Sequence, residues 1–343
     1  MVIRLACLCM LVVVVSCTSD KTTPEEIASS ETHIIASDTS SAVTVAPADA
    51  RIDTLVLHYT AGEVYHYRVR QTSSGGPDTA KMLSFSQHGY TKRIKSKRAD
   101  GNFEIGITFD SISAGFSIKN MISGEVLRED GFKSSDTAAL KDPRNLSYTA
   151  VLGVEVTMIV TPKGKVQEII GASSIVNRMI PKGQEMPPEQ KARMQEQVET
   201  AMFGAFSEQE YLRFPDNVLD TSASWSTSTS TVLGDLFTVE STNTYKINTV
   251  KKVKGLRIAE VGATVVGAIK ARIIPPEYRV SVKVKKSSIT GTGKTVIDLD
   301  KGYTITKSNE VHMDVDALIT KSDGKTEKGA QQTTIKYDVE LLR

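Results

Sequence analysis

Arg279-Val280-Ser281-Val282-Lys283-Val284-Lys285 decides the fold: its valines fall on every second residue, with charged or hydroxyl side chains between them. Side chains of a β-strand point alternately to opposite faces, so a period of two describes a strand with one apolar and one wet face. The period recurs along the chain. Leu55, Leu57 and Tyr59 alternate with Val56 and His58, and Tyr65, Tyr67 and Val69 with His66, Arg68 and Arg70. Phe103, Ile105, Ile107 and Phe109 continue it, as do Val154, Val156, Met158 and Val160. Val311, Met313 and Val315 alternate with His312, Asp314 and Asp316, and the chain closes on Ile335, Tyr337, Val339 and Leu341. One dry face and one wet face favour antiparallel pairing.

The turns agree. Ala99-Asp100-Gly101-Asn102, Pro162-Lys163-Gly164-Lys165, Asp300-Lys301-Gly302 and Ser322-Asp323-Gly324-Lys325 place glycine between alternating runs, where a positive φ is cheap. One interruption is helical. Pro187-Pro188-Glu189 puts proline and an acid at a helix start, and Met194, Val198, Ala201, Met202 and Ala205 follow at three- and four-residue spacing. Gly204 weakens or ends this helix, Ser207 to Glu210 reads as a capping box for a second short one through Leu212, and Pro215 closes the segment. A shorter helix is expected around 174–179. The expected fold is therefore mainly β: antiparallel β-meander sheets in two related halves, 52–171 and 223–343, with a helical insert, 172–222, between them. The similar hairpins at 153–171 and 293–308 are the basis for relating the halves.

The N-terminus predicts export. Arg4 supplies a positive charge and Leu5 to Val15 an apolar run, shorter than the ~20 residues of a membrane-spanning helix. Val14-Val15-Ser16-Cys17 resembles the lipobox of bacterial lipoproteins. That resemblance implies a signal peptide over 1–16, cleavage before Cys17, diacylglycerol on its thiol and usually a third acyl chain on the new amine. Two or three chains suffice for durable anchoring, whereas one binds only marginally. Of the three cysteines, Cys7 and Cys9 leave with the peptide and Cys17 is lipidated, so the mature body is expected to hold no disulfide. Residues 17–51 are expected to be the lipidated cysteine and a tether rich in Ser, Thr and Ala, too apolar-poor to offset its ordering entropy.

Lysine and arginine number 42 against 40 acids, a formal charge of +2. That balance lacks the basic excess of a nucleic-acid binder, and no nucleic-acid partner is expected.

Several stretches spanning nearly the whole mature chain carry a family resemblance. Tyr59-Thr60-Ala61-Gly62 precedes Tyr65-His66-Tyr67, and Val154-Glu155-Val156-Thr157 leads into Val160-Thr161-Pro162-Lys163-Gly164-Lys165-Val166. Phe214-Pro215-Asp216 precedes Trp225, and Gly291-Thr292-Gly293 precedes Asp298 and Gly302. The order of these segments resembles a family of uncharacterised, β-rich secreted lipoproteins common in Bacteroidota-type bacteria. Members often carry Gly-Asp before the tryptophan, where this chain has Ser222-Ala223-Ser224. The resemblance implies an envelope location and supplies no catalytic residue.

Few residues suggest chemistry. Gly291-Thr292-Gly293-Lys294-Thr295 echoes a phosphate-binding loop, but Ser288 stands where that loop needs glycine and Val296-Ile297-Asp298-Leu299 continues as strand, so a strand-connecting turn is expected. His58, His66 and His312 fall on the polar phase of strands without a second ligand at metal-site spacing, and His33 lies in the tether. Asp298 with Asp300, and Asp314 with Asp316, read as polar-phase residues. No Gly-x-Ser-x-Gly elbow occurs. Ser222 to Thr231 reads as an exposed strand with a hydroxyl face. The basic runs Lys92-Arg93 with Lys95, Lys97 and Arg98, and Lys251-Lys252 with Lys254 and Arg257, read as solvated hairpin edges, with anionic headgroups or acidic polysaccharide as the functional alternative. Triplets beginning at Asp53, Asp78, Asp110 and Asp136 match a short Asp-Ser/Thr-apolar pattern resembling Bacteroidota O-glycosylation sites.

Cys17 is thus the one assigned site, as a lipidation site; no catalytic, cofactor-binding or metal residue is assigned, and no cofactor is expected. The expected function is a lipid-anchored protein of the cell envelope, at the outer membrane, with a non-enzymatic binding or structural role. Its partners would be the membrane through Cys17 and an envelope protein, polysaccharide or lipid. The alternative is a carrier of a hydrophobic ligand in a cavity between sheet and helix.

Overall fold

The computed structural model describes residues 43–44, 55–77, 79–181, 183–204, 206, 210–212, 214–215, 224–233, 236–253, 255–272, 280–320 and 324–342. Cys17, the leader, the tether apart from 43–44, His33, and the triplet positions Asp53 and Asp78 lie outside them.

The alternating runs form strands. In chain order they are β1 (Val43–Thr44), β2 (Val64–Gly76), β3 (Ala80–Lys97), β4 (Phe103–Asn120), β5 (Val126–Lys133), β6 (Glu155–Val160) and β7 (Val166–Ile170), then β8 (Ser224–Leu233), β9 (Phe237–Val253), β10 (Leu256–Ala271), β11 (Ser281–Asp298), β12 (Thr304–Thr320) and β13 (Thr326–Leu342). All pair antiparallel in one sheet of order β1-β9-β10-β11-β12-β13-β2-β3-β4-β6-β7, with β5 also beside β4 and β8 beside β9. The mainly β, antiparallel expectation holds. The two runs of strands do not make separate sheets, because the last strand, β13, pairs with β2 over eleven positions from Gln332↔Gly76 to Leu342↔His66. Both edges bear apolar residues on one phase, so the pairing buries a continuous face rather than two.

Short-range geometry shows that this sheet curls. Leu57 N–H donates to Pro162 O at 2.7 Å in the β6–β7 turn, and the next residue, His58, donates to Lys301 O at 2.8 Å in the β11–β12 turn. Strands β11 and β6 stand six steps apart in the sheet, which in a flat sheet is about 29 Å. Consecutive residues span only about 3.8 Å, so the sheet must bend until its distant turns meet. Residues 55–60, expected as a strand from their alternation, instead run unladdered between these two turns. Leu55, Leu57 and Tyr59 keep the apolar phase and are buried.

Gly302 shows how tight this junction is. Its φ is +77°, and a Cβ there would lie 2.5 Å from Val56 O. Asp298 shapes the turn by accepting from the backbone N–H groups of Asp300 at 2.9 Å and Lys301 at 3.0 Å. Gly302→Ala is expected to lower unfolding free energy by about 2–3 kcal/mol, combining left-handed strain with a backbone clash. Gly101→Ala, also at positive φ but with open space around it, is expected to cost only about 1 kcal/mol. Denaturant melts of the two variants check the difference.

The helices are α1 (Thr137–Lys141), α2 (Leu146–Thr149), α3 (Ala172–Met179) and α4 (Pro188–Gln197), the last continuing as a π-helical turn at Val198–Gly204. The expected short helix and the proline-led helix are α3 and α4. The pair α1 and α2 was not foreseen; Asp136 caps α1 by accepting from Ala138 N–H at 2.8 Å, which gives its triplet a structural role. Val198 and Phe203 are buried and Met194 and Met202 pack against the same core. Phe203 lies 6.1 Å from Phe109, and Phe206 lies 4.9 Å from Tyr90 and 5.7 Å from Phe109. Rings therefore occupy the place between helical segment and sheet where a carrier would need its cavity.

Candidate functional site

The inward phase of β3 reads Tyr90, Lys92, Ile94, and all three are 1% exposed. Lys92 is therefore no part of a solvated hairpin edge. A charge taken this far from water persists only if paired. Its ammonium donates to Glu210 Oε1 at 2.6 Å and to Tyr59 Oη at 3.2 Å. Four rings surround it, with centroids at 4.6 Å for Tyr67, 5.3 Å for Tyr59, 5.4 Å for Tyr211 and 5.7 Å for Tyr65. The negative faces of such rings add to the attraction. The other oxygen of Glu210 accepts from Tyr90 Oη, and Tyr67 and Tyr90 stack at 5.2 Å.

Sequence and topology together build this cage. Register places Tyr67 opposite Tyr90. The strap at 55–60 carries Tyr59 over Lys92, and the segment after the π-helical turn brings Glu210 and Tyr211. That segment is tied to the β6–β7 turn through Phe214 N–H to Lys163 O at 3.2 Å. Glu210 was expected in a capping box with Ser207; Ser207 lies outside the described residues, and the Glu210 carboxylate is engaged by Lys92 and Tyr90. At the rim, Glu63 accepts from Tyr65 Oη at 2.8 Å and pairs with Lys301.

Burial alone would push Lys92 toward neutrality, but the Glu210 carboxylate and the tyrosine hydroxyls outweigh it and hold its pKa well above that of free lysine. Burial likewise raises Tyr67, Tyr90 and Tyr211 well above the usual phenol value. A lysine held charged is a poor nucleophile or base at neutral pH. The recess beside the pair, between Leu57, Leu212, Phe214 and Thr304, has a volume of about 10 Å³, on the scale of one water molecule. Tyr211 Oη borders it and makes no hydrogen bond. What this arrangement does chemically is fasten: a long-range ion pair holds the helical segment against the sheet.

The rest of the first basic run is exposed: Lys95 pairs with Glu155 at 3.0 Å, Arg98 lies 4.0 Å from Asp100, and Lys97 sits 5.7 Å from the Phe103 ring centre. In the second, Arg257 pairs with Asp300 at 2.9 Å, and Lys251 and Lys252 pair with β1 through the backbone while Lys252 stays exposed; Lys254 lies outside the described residues. Gly291-Thr292-Gly293 is not a turn but the middle of β11, laddered on both sides, with the glycines clearing Glu310 O, Val311 and the Asn309 side chain. Asp298 is buried at 1% rather than solvated.

His58 is exposed. His66 Nδ1 lies 2.9 Å from Thr91 Oγ1, whose hydroxyl donates to Asp110 at 2.7 Å. His312 Nδ1 lies 3.0 Å from Thr334 Oγ1. Among the described residues no group of three metal-ligating side chains converges. His88, on the inward phase, packs edge-on to Phe109 at 5.3 Å with an enclosed, unpartnered Nε2, and burial lowers its pKa to about 4. The hydroxyl strand is β8, whose Ser226, Ser228 and Thr229 meet Thr244, Thr242 and Ser241 of β9 at 2.9–3.1 Å.

Fold and site together define a β-scaffold: one curled antiparallel sheet pinned to a helical segment by a buried lysine–glutamate pair. The chain belongs to DUF6263, a family of unknown function, whose sequence profile matches residues 100–302. No curated protein matches it. Among solved structures it is similar to a lipovitellin from a study of lipid–protein interactions, at 10% identity and a TM-score of 0.45, over 83% of this chain and 26% of that one. The chain thus spans about a quarter of that relative's length. It is also similar to an outer membrane channel from Pseudomonas putida F1, at 10% identity and TM-score 0.17 over 87% and 100% of the two chains, and to OccK7 (OpdD) of Pseudomonas aeruginosa, at 7% and 0.23 over 83% and 99%. TM-scores this low carry no function across.

Proposed function

We propose that this protein is a lipid-anchored component of the bacterial cell envelope, held at the outer membrane through Cys17, whose β-body has a binding or structural role and no catalysis of its own. The observation that carries the anchoring is Val14-Val15-Ser16-Cys17 at the end of the apolar run. The non-enzymatic reading is supported by the closed cage: its lysine is charged and paired, and its recess admits about one water. The body would present its outer faces to an envelope protein, a polysaccharide or lipid.

Mass spectrometry of the protein purified from its native membrane tests the anchor. The expected N-terminal peptide begins at Cys17 and carries two or three acyl chains, and Cys17→Ala abolishes that acylation. A mature chain with an unmodified Cys17, or one cleaved elsewhere, overturns it.

A further inference from the structure

The hairpin tip between β4 and β5 is built to hold apolar side chains in solvent. Asn120 Oδ1 accepts from the N–H groups of Ile122 at 2.8 Å and Ser123 at 3.2 Å, and Gly124 N–H returns to Asn120 O at 2.9 Å. Met121 N–H donates to Thr79 O at 3.0 Å, pinning the tip to the neighbouring turn. This closed turn leaves Ile122 83% exposed, with Met121, Val126 and Leu127 each at least half exposed. Exposed apolar groups gathered at one place mark a contact surface, whereas singly scattered ones need no explanation.

Charge beneath the tip indicates what it contacts. Lys81 and Lys119 stand directly opposite each other across β3 and β4. Both are exposed, and neither is ion-paired among the described residues. Like charges placed so are destabilising within the sheet, and an anionic partner reverses that penalty. Glu125 is the one acid within the turn. The lysines lie about three residues from Ile122, at most about 10 Å along the strand. Interfacial segments bury their apolar side about 5–10 Å below the headgroups.

We propose that the 120–127 tip is a membrane-contacting finger, which inserts Met121, Ile122, Val126 and Leu127 into the acyl boundary of an anionic bilayer while Lys81 and Lys119 meet lipid phosphates. An exposed apolar tip flanked by two lysines suits a bilayer, which yields to it, better than a protein, which would need a matching pocket. The finger goes beyond the Cys17 anchor and does not depend on it.

The test places a reporter at the apex. Ile122→Trp is made in the full chain and in the full chain with Cys17→Ser, which cannot be lipidated. The native Trp225 is buried and stacked on Tyr245 at 5.3 Å, so quenching beyond that of the parent comes from the tip. With phosphatidylglycerol vesicles carrying brominated acyl chains, the added indole is expected to be quenched roughly twofold in both backgrounds, as insertion to acyl depth requires. Lys81→Glu with Lys119→Glu, or high salt, is expected to remove most of that quenching. Quenching equal to the parent's while the lipidated chain floats with the vesicles overturns the finger and leaves the anchor standing. Concentration-dependent self-association through the tip, without quenching, also overturns it in favour of a second copy. Flotation of the full chain that is lost at high salt together with the tip quenching removes the anchor and leaves the finger.

Discussion

Replacing Glu210 by alanine is expected to destabilise the protein by about 3–5 kcal/mol, because it strands the Lys92 ammonium and the Tyr90 hydroxyl in a dry interior. Domains of this kind are stable by about 5–15 kcal/mol in total, so one truncation removes a large share. The cage contributes far less than that when intact, since most of what the pair gains is offset by desolvation. Lys92→Met is therefore expected to be about as damaging as Glu210→Ala, for the mirror-image reason. The double variant Lys92→Met, Glu210→Leu is expected to recover most of the loss, because two apolar side chains of similar length bury without an unpaired charge. Urea unfolding of the parent, Lys92→Met, Glu210→Leu and the double variant gives the coupling directly. Limited proteolysis gives the location: the single variants are expected to be cut first near the helical segment, which loses its tie to β3. If Glu210→Ala melts with the parent, the pair is no fastener. If the double variant is as unstable as the singles, the tyrosine rings rather than the charges hold the segment.

The cage also marks where legibility in the sequence ended. Period-two alternation predicted strands, their antiparallel sense and the glycine turns, because each depends on neighbours a few residues away. The proline-led helix was legible for the same reason. What no local pattern contains is which hairpin lies beside which. The pairing of β13 with β2 joins residues more than 250 positions apart, and it turns two runs of strands into one sheet. Lys92 and Glu210 are separated by 118 positions, so neither announces the other. One signal was available. Tyr90, Lys92 and Ile94 share a strand phase, and a lysine on the apolar phase demands a buried partner. The basic residues around Lys92 mask that phase. Asp298 was missed similarly: it terminates β11 on the buried side and spends its carboxylate on the turn. The tip at Met121 and Ile122 was invisible for the opposite reason. Only the structure shows that no other described element covers those side chains.

Acidification from pH 7 to pH 4 is expected to remove about 2–3 kcal/mol of stability through His88, with a second decline above about pH 10. Burial among Phe109, Tyr90 and the sheet holds His88 near a pKa of about 4, against roughly 6.5 for the unfolded chain. Between those values the unfolded chain takes up a proton that the folded chain refuses, so stability is full above about pH 6.5 and falls as pH drops toward 4. The ring is not wholly covered, which is why the expected loss is smaller than the full shift of about 2.5 units, worth roughly 3.4 kcal/mol, would give. At the alkaline end the sign reverses. Tyr67, Tyr90, Tyr211 and Tyr337 are raised by burial, and Lys92 is raised because Glu210 and the surrounding hydroxyls overcome its burial. The folded chain keeps these protons while the unfolded chain releases them above about pH 10, so stability declines as pH rises. Thermal melts by circular dichroism across this range check both limbs. His88→Phe is expected to flatten the acid limb and leave the alkaline one in place, since a neutral ring fills the same site without a titrating nitrogen. An acid limb unchanged in that variant would assign the loss to carboxylates such as Glu63, whose partner Lys301 holds its pKa low against the effect of burial. Lys92→Met, Glu210→Leu is expected to alter only the alkaline limb, which separates the cage from His88 although both sit on the inward phase of β3.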